Sequence, residues 1–182
     1  MANGPILIIS GTNRPGANAL RVSQLIEAHY KAANAPVEIY SLADMPREIF
    51  DPVSYATKPA AWTVVQSKVV AARGLHVVTP EYNGSFPGVL KYFIDMLKFP
   101  ESFEAKPVAF TGESAGVWGA IRSIEQLQHI FGYRNAHVFP DRVFIPGIGQ
   151  KFDAAGHFID AAINDRLIKQ AKGFADFTAK FL

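Results

Sequence analysis

The run Pro80-Glu81-Tyr82-Asn83-Gly84-Ser85-Phe86-Pro87-Gly88 gathers a carboxylate, an amide, a serine hydroxyl and two aromatic rings into one Gly/Pro/Asn turn. Such a turn exposes backbone N–H groups, and its polar side chains are mostly neutral. That chemistry suits a flat heterocycle with polar edges better than a sugar or a metal. Two further stretches have the same character. Gly11-Thr12-Asn13-Arg14-Pro15-Gly16-Ala17-Asn18 runs into a helical pattern. The free N–H groups and dipole of a helix start favour an anion, with Thr12, Asn13 and Asn18 as neutral donors and Arg14 as a charge. Gly112-Glu113-Ser114-Ala115-Gly116-Val117-Trp118-Gly119 is the third stretch.

The spacing in the first stretch narrows the anion. Gly11-x4-Gly16 begins like a nucleotide-triphosphate loop but continues Ala17-Asn18, without the Lys-Ser/Thr pair. The lysine needed at β/γ-phosphates and the hydroxyl that holds Mg²⁺ are absent from their motif positions, which argues against ATP or GTP hydrolysis. A dinucleotide fingerprint needs G-x-G-x-x-G and an acid at the end of the second strand; Tyr40-Ser41 stands in that place. A phosphate monoester is the better ligand.

The elements that must carry these turns alternate. Pro5–Ser10, Val37–Ser41, Leu75–Thr79 and Pro107–Thr111 are short apolar runs, as in strands covered on both faces. A last strand region, Asn135–Phe139 and Val143–Ile145, is interrupted by Pro140. Between them lie helical patterns, including Val22, Leu25, Ile26 and His29 on one face and Trp62, Val65, Val69 and Ala72 on another. Gly74 is expected to end the second helix, and Asp160 to cap the last one. Residues 42–58 lack a sustained period and read as a long loop. The order βαβαβαβαβα predicts an α/β fold with a five-stranded parallel sheet in the order 2-1-3-4-5 and helices on both faces. The three turns follow strands one, three and four, so they meet at the carboxyl edge, at the topological switch point. The chain reads as one domain over residues 1–182.

Composition sets outer limits. Apolar residues make up 49% and charged residues 19%, enough for a full core and too apolar for disorder. A net charge of +2 without a Lys/Arg cluster gives no footprint for nucleic acid. No apolar run approaches the roughly 20 residues that span a bilayer, and no signal-peptide pattern opens the chain. The lack of cysteine removes disulfides, thiolate metal sites and a Cys nucleophile, and suits a cytoplasmic setting. His129, His137 and His157 show no metal spacing, so no metal site is expected. The helix after the second turn carries Leu90, Phe93, Ile94 and Leu97, widened by Val89 and Met96; this breadth suggests a homodimer or homotetramer.

Ser10-Gly11-Thr12-x-Arg14-x3-Asn18-x-Leu20, with Pro80-Glu81-Tyr82-Asn83-x-Ser85-x-Pro87-Gly88-x-Leu90-Lys91-x2-Ile94-Asp95, resembles the NADPH-dependent FMN reductase family over the whole chain. That resemblance implies a flavodoxin-like three-layer sandwich and a cytoplasmic NAD(P)H oxidoreductase. It also implies bound FMN, NADPH or NADH as donor, and a small acceptor: a quinone, free flavin, azo compound or metal oxyanion such as chromate. By the same resemblance Gly11, Thr12, Asn13, Arg14, Asn18, Ala19 and Leu20 hold the FMN phosphate and ribityl chain. Pro80, Glu81, Tyr82, Asn83, Gly84 and Ser85 line the isoalloxazine, and Gly112, Ser114, Ala115 and Gly116 cover its pyrimidine end. No side chain is expected to act as a catalytic acid or base, since the cofactor carries the chemistry. The rival readings are a flavodoxin-like electron carrier and a non-catalytic FMN-binding module. Carriers usually dock through acidic surfaces, which a +2 chain does not offer. Trp118 is a lid over the pocket or an interface residue.

Overall fold

The computed structural model describes residues 4–181. Strands β1 (Ile6–Ser10), β2 (Val37–Ser41), β3 (Gly74–Pro80) and β4 (Pro107–Glu113) form the centre of a parallel sheet. β5 (His137–Val138) and β6 (Val143–Ile145) both pair with β4, one after the other along its length. The order is β2-β1-β3-β4-β5, as the alternation predicts. The last strand region counts as two strands because Pro140, which has no N–H, interrupts it.

Helices α2 (Ala60–Ala71), α3 (Gly88–Met96) and α4 (Ile121–Tyr133) share one apolar cluster with Leu7, Ile9, Val77, Val108 and Phe110. α1 (Asn18–Ala32) and α5 (Ala161–Ala179) share a second with Ile6, Ile8, Val78 and Ala109. The strands send alternate residues to the two faces, so two cores flank the sheet and the architecture has three layers. Asp160 caps α5, its carboxylate accepting from the Ile163 N–H at 3.0 Å.

Two expectations change. α2 ends at Ala71 with Ala72 as its cap, so Gly74 does not close the helix. It opens β3 instead, where a Cβ would lie 2.7 Å from Thr178 Cγ2 and 3.0 Å from Phe174 Cζ; the glycine lets α5 approach the strand. The stretch 42–58 is also less irregular than its composition suggests, folding into three 3₁₀ turns at Leu42–Asp44, Arg47–Phe50 and Pro52–Tyr55. These turns lie over α3. Tyr92 donates its hydroxyl proton to the Ile49 carbonyl at 2.6 Å and stacks on Phe50 at 4.9 Å, while Met45 and Ile49 join the first core. The broad apolar surface of α3 therefore has an occupant within the chain.

A polar chain crosses the second core. His76 is fully buried on β3, with Tyr30 Oη 2.8 Å from its Nδ1 and Thr111 Oγ1 2.9 Å from its Nε2. Thr111 donates to Gln170 Oε1 at 2.7 Å, and Gln170 Nε2 donates to the carbonyls of Phe110 and Asp141, each at 2.9 Å. With the Thr111 proton spent on Gln170, Nε2 of His76 carries a hydrogen and Nδ1 accepts from Tyr30. A neutral imidazole satisfies every group in the chain.

Candidate active site

The three turns meet at the carboxyl edge, and hydrogen bonds join them. Thr12 Oγ1 lies 3.1 Å from Tyr82 Oη, linking the first turn to the second. The Glu81 N–H donates to the Glu113 carbonyl at 3.2 Å, linking the second turn to the third, and Ser123 Oγ of α4 donates to the Pro80 carbonyl at 3.3 Å. A fourth segment, absent from the sequence reading, closes the outer side. The Ile148 N–H donates to the Ser114 carbonyl and the Gly147 N–H to that of Gly116, at 3.0 and 3.2 Å. Here Ala115, Gly116, Val117, Pro146, Gly147, Gln150 and Lys151 line a shallow cavity of about 290 Å³.

The first turn offers donors. α1 starts without a side-chain cap and without an acid in its first turn. The N–H groups of Asn13, Asn18 and Ala19 have no partner among the described residues. Helix starts are ordinarily satisfied, so an open one is a ready anion site. Arg14 and Leu20 are exposed, whereas Ala19 is fully buried and offers only its backbone. Thr12 is also buried; its hydroxyl accepts from the Arg14 N–H at 3.2 Å and braces the turn. Asn18 Oδ1 accepts from Arg21 Nη1 at 3.3 Å. Gly11 is where backbones press together: a Cβ there would lie 2.7 Å from the Val78 carbonyl oxygen.

The second turn is a two-residue hairpin. The Tyr82 N–H donates to the Ser85 carbonyl at 2.7 Å and the Ser85 N–H to that of Tyr82 at 3.1 Å. Asn83 and Gly84 both take positive φ, 53° and 76°, as a type I′ turn requires. The Asn-Gly pair is the sequence signal for that geometry. Pro80 is buried and Asn83 is exposed at the tip. Glu81 Oε2 is buried without a partner, and its Oε1 lies 3.9 Å from Arg122 Nη1.

The third turn folds back on its own strand. A Cβ at Gly112 would lie 2.7 Å from the Gly119 carbonyl oxygen and 2.9 Å from Ala120 Cβ. Ser114 is buried and donates to the Gly116 carbonyl at 3.0 Å, while Ala115 and Gly116 are exposed. Val117 and Trp118 project into solvent, 80% and 60% exposed, so Trp118 has no place in the core. Nothing in the sequence around Glu113 signals its burial. It is 5% exposed at the end of β4, in register with Pro80, and burial pushes its carboxyl up to about 7.

Other cavities lie away from the three turns. The widest, about 570 Å³, lies at the opposite edge of the sheet against Arg73, Lys106 and Phe181. Lys106 Nζ is already engaged there by the carbonyls of Val69, Val70 and Ala72. No described helix is long and apolar enough to cross a membrane.

Comparison with known proteins agrees with this geometry. FerB of Paracoccus denitrificans, a flavoenzyme NAD(P)H:(acceptor) oxidoreductase, superposes with a TM-score of 0.80 at 20% identity, covering 96% of this chain and 97% of its own. A flavodoxin from the domain Archaea superposes with a TM-score of 0.65 at 13% identity, over 96% and 97%. These likenesses establish a flavodoxin-like fold. In sequence, a quinone reductase of Escherichia coli K12 is 34% identical over 154 residues, 81% of this chain and 82% of the relative. An FMN-dependent NADPH-azoreductase of Staphylococcus aureus is 32% identical over 130 residues, 68% of this chain and 65% of the relative. The family model for NADPH-dependent FMN reductases matches residues 5–150, and the chain belongs to that family.

Proposed function

We propose that this chain is an FMN-dependent NAD(P)H oxidoreductase that reduces small acceptors in a ping-pong cycle. Quinones, free flavins, azo compounds and metal oxyanions such as chromate are the acceptor classes. The observation that carries the reading is the uncapped start of α1, with three open N–H groups beside the hairpin at the tip of β3. An anion and a flat ring are thereby offered neighbouring sites. FMN held there would supply the two-electron chemistry between a nicotinamide donor and the acceptor.

The chain's own part is positional. Asn13, Asn18 and Ala19 hold the phosphate through backbone N–H groups, with Arg14 and Asn18 side chains as further donors. The hairpin Tyr82–Ser85 and the exposed backbone of Ala115-Gly116 fix the two sides of the ring. Donor and acceptor use one face in turn, which is why the cycle is ping-pong. Homodimer or homotetramer assembly also belongs to the proposal. It rests now on the exposed Phe50, Val53 and Tyr55, and a single monomeric boundary in sedimentation velocity would remove it.

The test is optical. Purified protein supplied with FMN should show a bound yellow flavin that bleaches under anaerobic NADPH or NADH and recovers with a quinone, with no partner protein present. Flavin that binds but does not bleach would instead favour a carrier or a binding module. A protein that never takes up FMN would end the proposal.

A further inference from the structure

Helix α4 touches both turns that flank the proposed ring. Its N-terminus is the end of the third turn, through Gly119 and Ala120. Its first two turns then reach the second turn at three levels. Ser123 Oγ donates to the Pro80 carbonyl at 3.3 Å, and Arg122 faces Glu81 at 3.9 Å. One turn further on, the Gln126 amide engages the hairpin with both ends. Its Oε1 accepts from Ser85 Oγ at 2.5 Å, and its Nε2 donates to the Gly84 carbonyl at 3.4 Å.

The hairpin needs such a brace. Asn83 and Gly84 sit at its tip with left-handed backbone, and the tip is held by the two bonds between Tyr82 and Ser85. On one side Tyr82 Oη meets Thr12 of the first turn. On the other, the only side chain among the described residues that hydrogen-bonds Gly84 or Ser85 is Gln126. An exposed amide of this kind adds little to folding, because water competes for both of its bonds. Its effect falls on the position of the turn, and a site held within a fraction of an ångström depends on such supports.

We infer that Gln126 is the positioning residue of the ring-binding turn, locking Gly84 and Ser85 to α4 so that the second and third turns move as one body. The inference rests on the FMN reading above and goes beyond it, since Gln126 lies outside all three turns. Flavin that binds to the wild type but sits loosely in the variant has altered hydrogen bonding at its ring edge, so its potential changes along with its affinity.

The experiment uses the purified protein with FMN and compares Gln126→Ala, Gln126→Glu, Ser85→Ala and the double variant Ser85→Ala/Gln126→Ala. Three readouts are taken: the FMN dissociation constant, the midpoint potential of the bound flavin, and the urea midpoint of the FMN-free protein. Gln126→Ala should raise the dissociation constant about tenfold and shift the potential, with the urea midpoint of the FMN-free protein unchanged. Gln126→Glu keeps the acceptor for Ser85 but sets a carboxylate against the Gly84 carbonyl, and should recover only part of the loss. The double variant should bind FMN no worse than the weaker single variant, since both side chains serve one link. Wild-type affinity and potential in Gln126→Ala overturn the inference, as do losses that track a lowered urea midpoint. Failure of the wild type to bind FMN would instead overturn the reading on which it rests.

Discussion

Alanine at Gly119 is expected to destabilise the folded chain by about 3 kcal/mol or more. Two costs add. Gly119 has φ of 57°, a left-handed conformation that costs an L-residue roughly 1–2 kcal/mol. A Cβ there would also lie 2.8 Å from the Ile145 nitrogen and 3.0 Å from the Phe144 carbonyl carbon. Those atoms are backbone of β6, so relief requires moving a strand, which costs another ~1–3 kcal/mol. The check is a urea titration: the midpoint should fall by about 1–2 M at unchanged slope. Ala120 supplies the control. It too is left-handed, with φ of 67°, yet its methyl is buried. Ala120→Gly relieves strain while removing packed surface, and should change stability by less than about 1 kcal/mol. Equal midpoints for Gly119→Ala and the wild type would show that the third turn is not pressed against β6.

The second large effect is in the dependence of stability on pH, where two buried groups oppose each other. Burial lowers His76 from 6.5 to about 3 and raises Glu113 from 4.5 to about 7. For His76 the unfolded chain takes up a proton below 6.5 while the folded chain does not until about 3. Stability from this group is complete above 6.5 and falls with acid, by the order of 4–5 kcal/mol at pH 3. For Glu113 the folded chain keeps its proton up to about 7 while the unfolded chain releases it above 4.5. Stability from this group is greatest below 4.5 and falls as pH rises, by about 3 kcal/mol above pH 7. Between 4.5 and 6.5 the two slopes cancel.

The variants separate them. Glu113→Gln should gain about 3 kcal/mol at pH 8 and then lose stability steadily from pH 6.5 downward. His76→Leu should be less stable at pH 8 by roughly 2–4 kcal/mol, since Tyr30 and Thr111 lose their partner. It should then gain about 3 kcal/mol as pH falls from 7 to 4.5. The carboxylates of Asp153 and Asp160 are held low by their hydrogen bonds and act equally in all three proteins, so differences between curves isolate the two buried groups. Parallel curves for wild type and Glu113→Gln between pH 4.5 and 8 would mean that Glu113 is ionised in the fold.

Much of this was legible in the sequence, for local reasons. The apolar runs Ile6–Ile9 and Leu75–Val78 could be satisfied only by strands covered on both faces, and the alternation with helices then set the sheet order. The three turns were visible because glycine, proline and asparagine mark their own positions. What stayed hidden depends on pairs distant along the chain. Gln126 bonds residues 41 and 42 positions away, and His76 meets Tyr30 and Thr111 across 46 and 35. Gly74 resembles a helix stop until Phe174 and Thr178 are seen against it. The turns over α3 stay hidden because residues 42–58 carry no period, although the Ile49 carbonyl and the Phe50 ring both meet Tyr92 of that helix.

The margin of the sheet beyond β4 has a consequence for how this molecule meets others. β5 and β6 contribute two and three residues, and the chain passes between them through Phe139-Pro140-Asp141-Arg142. A foreign strand seeking to extend the ladder there would find no continuous row of donors and acceptors, and a proline and two charges in the gap. Fibril-like growth by strand addition is blocked along that border, so assembly from this side must use helix and loop surfaces.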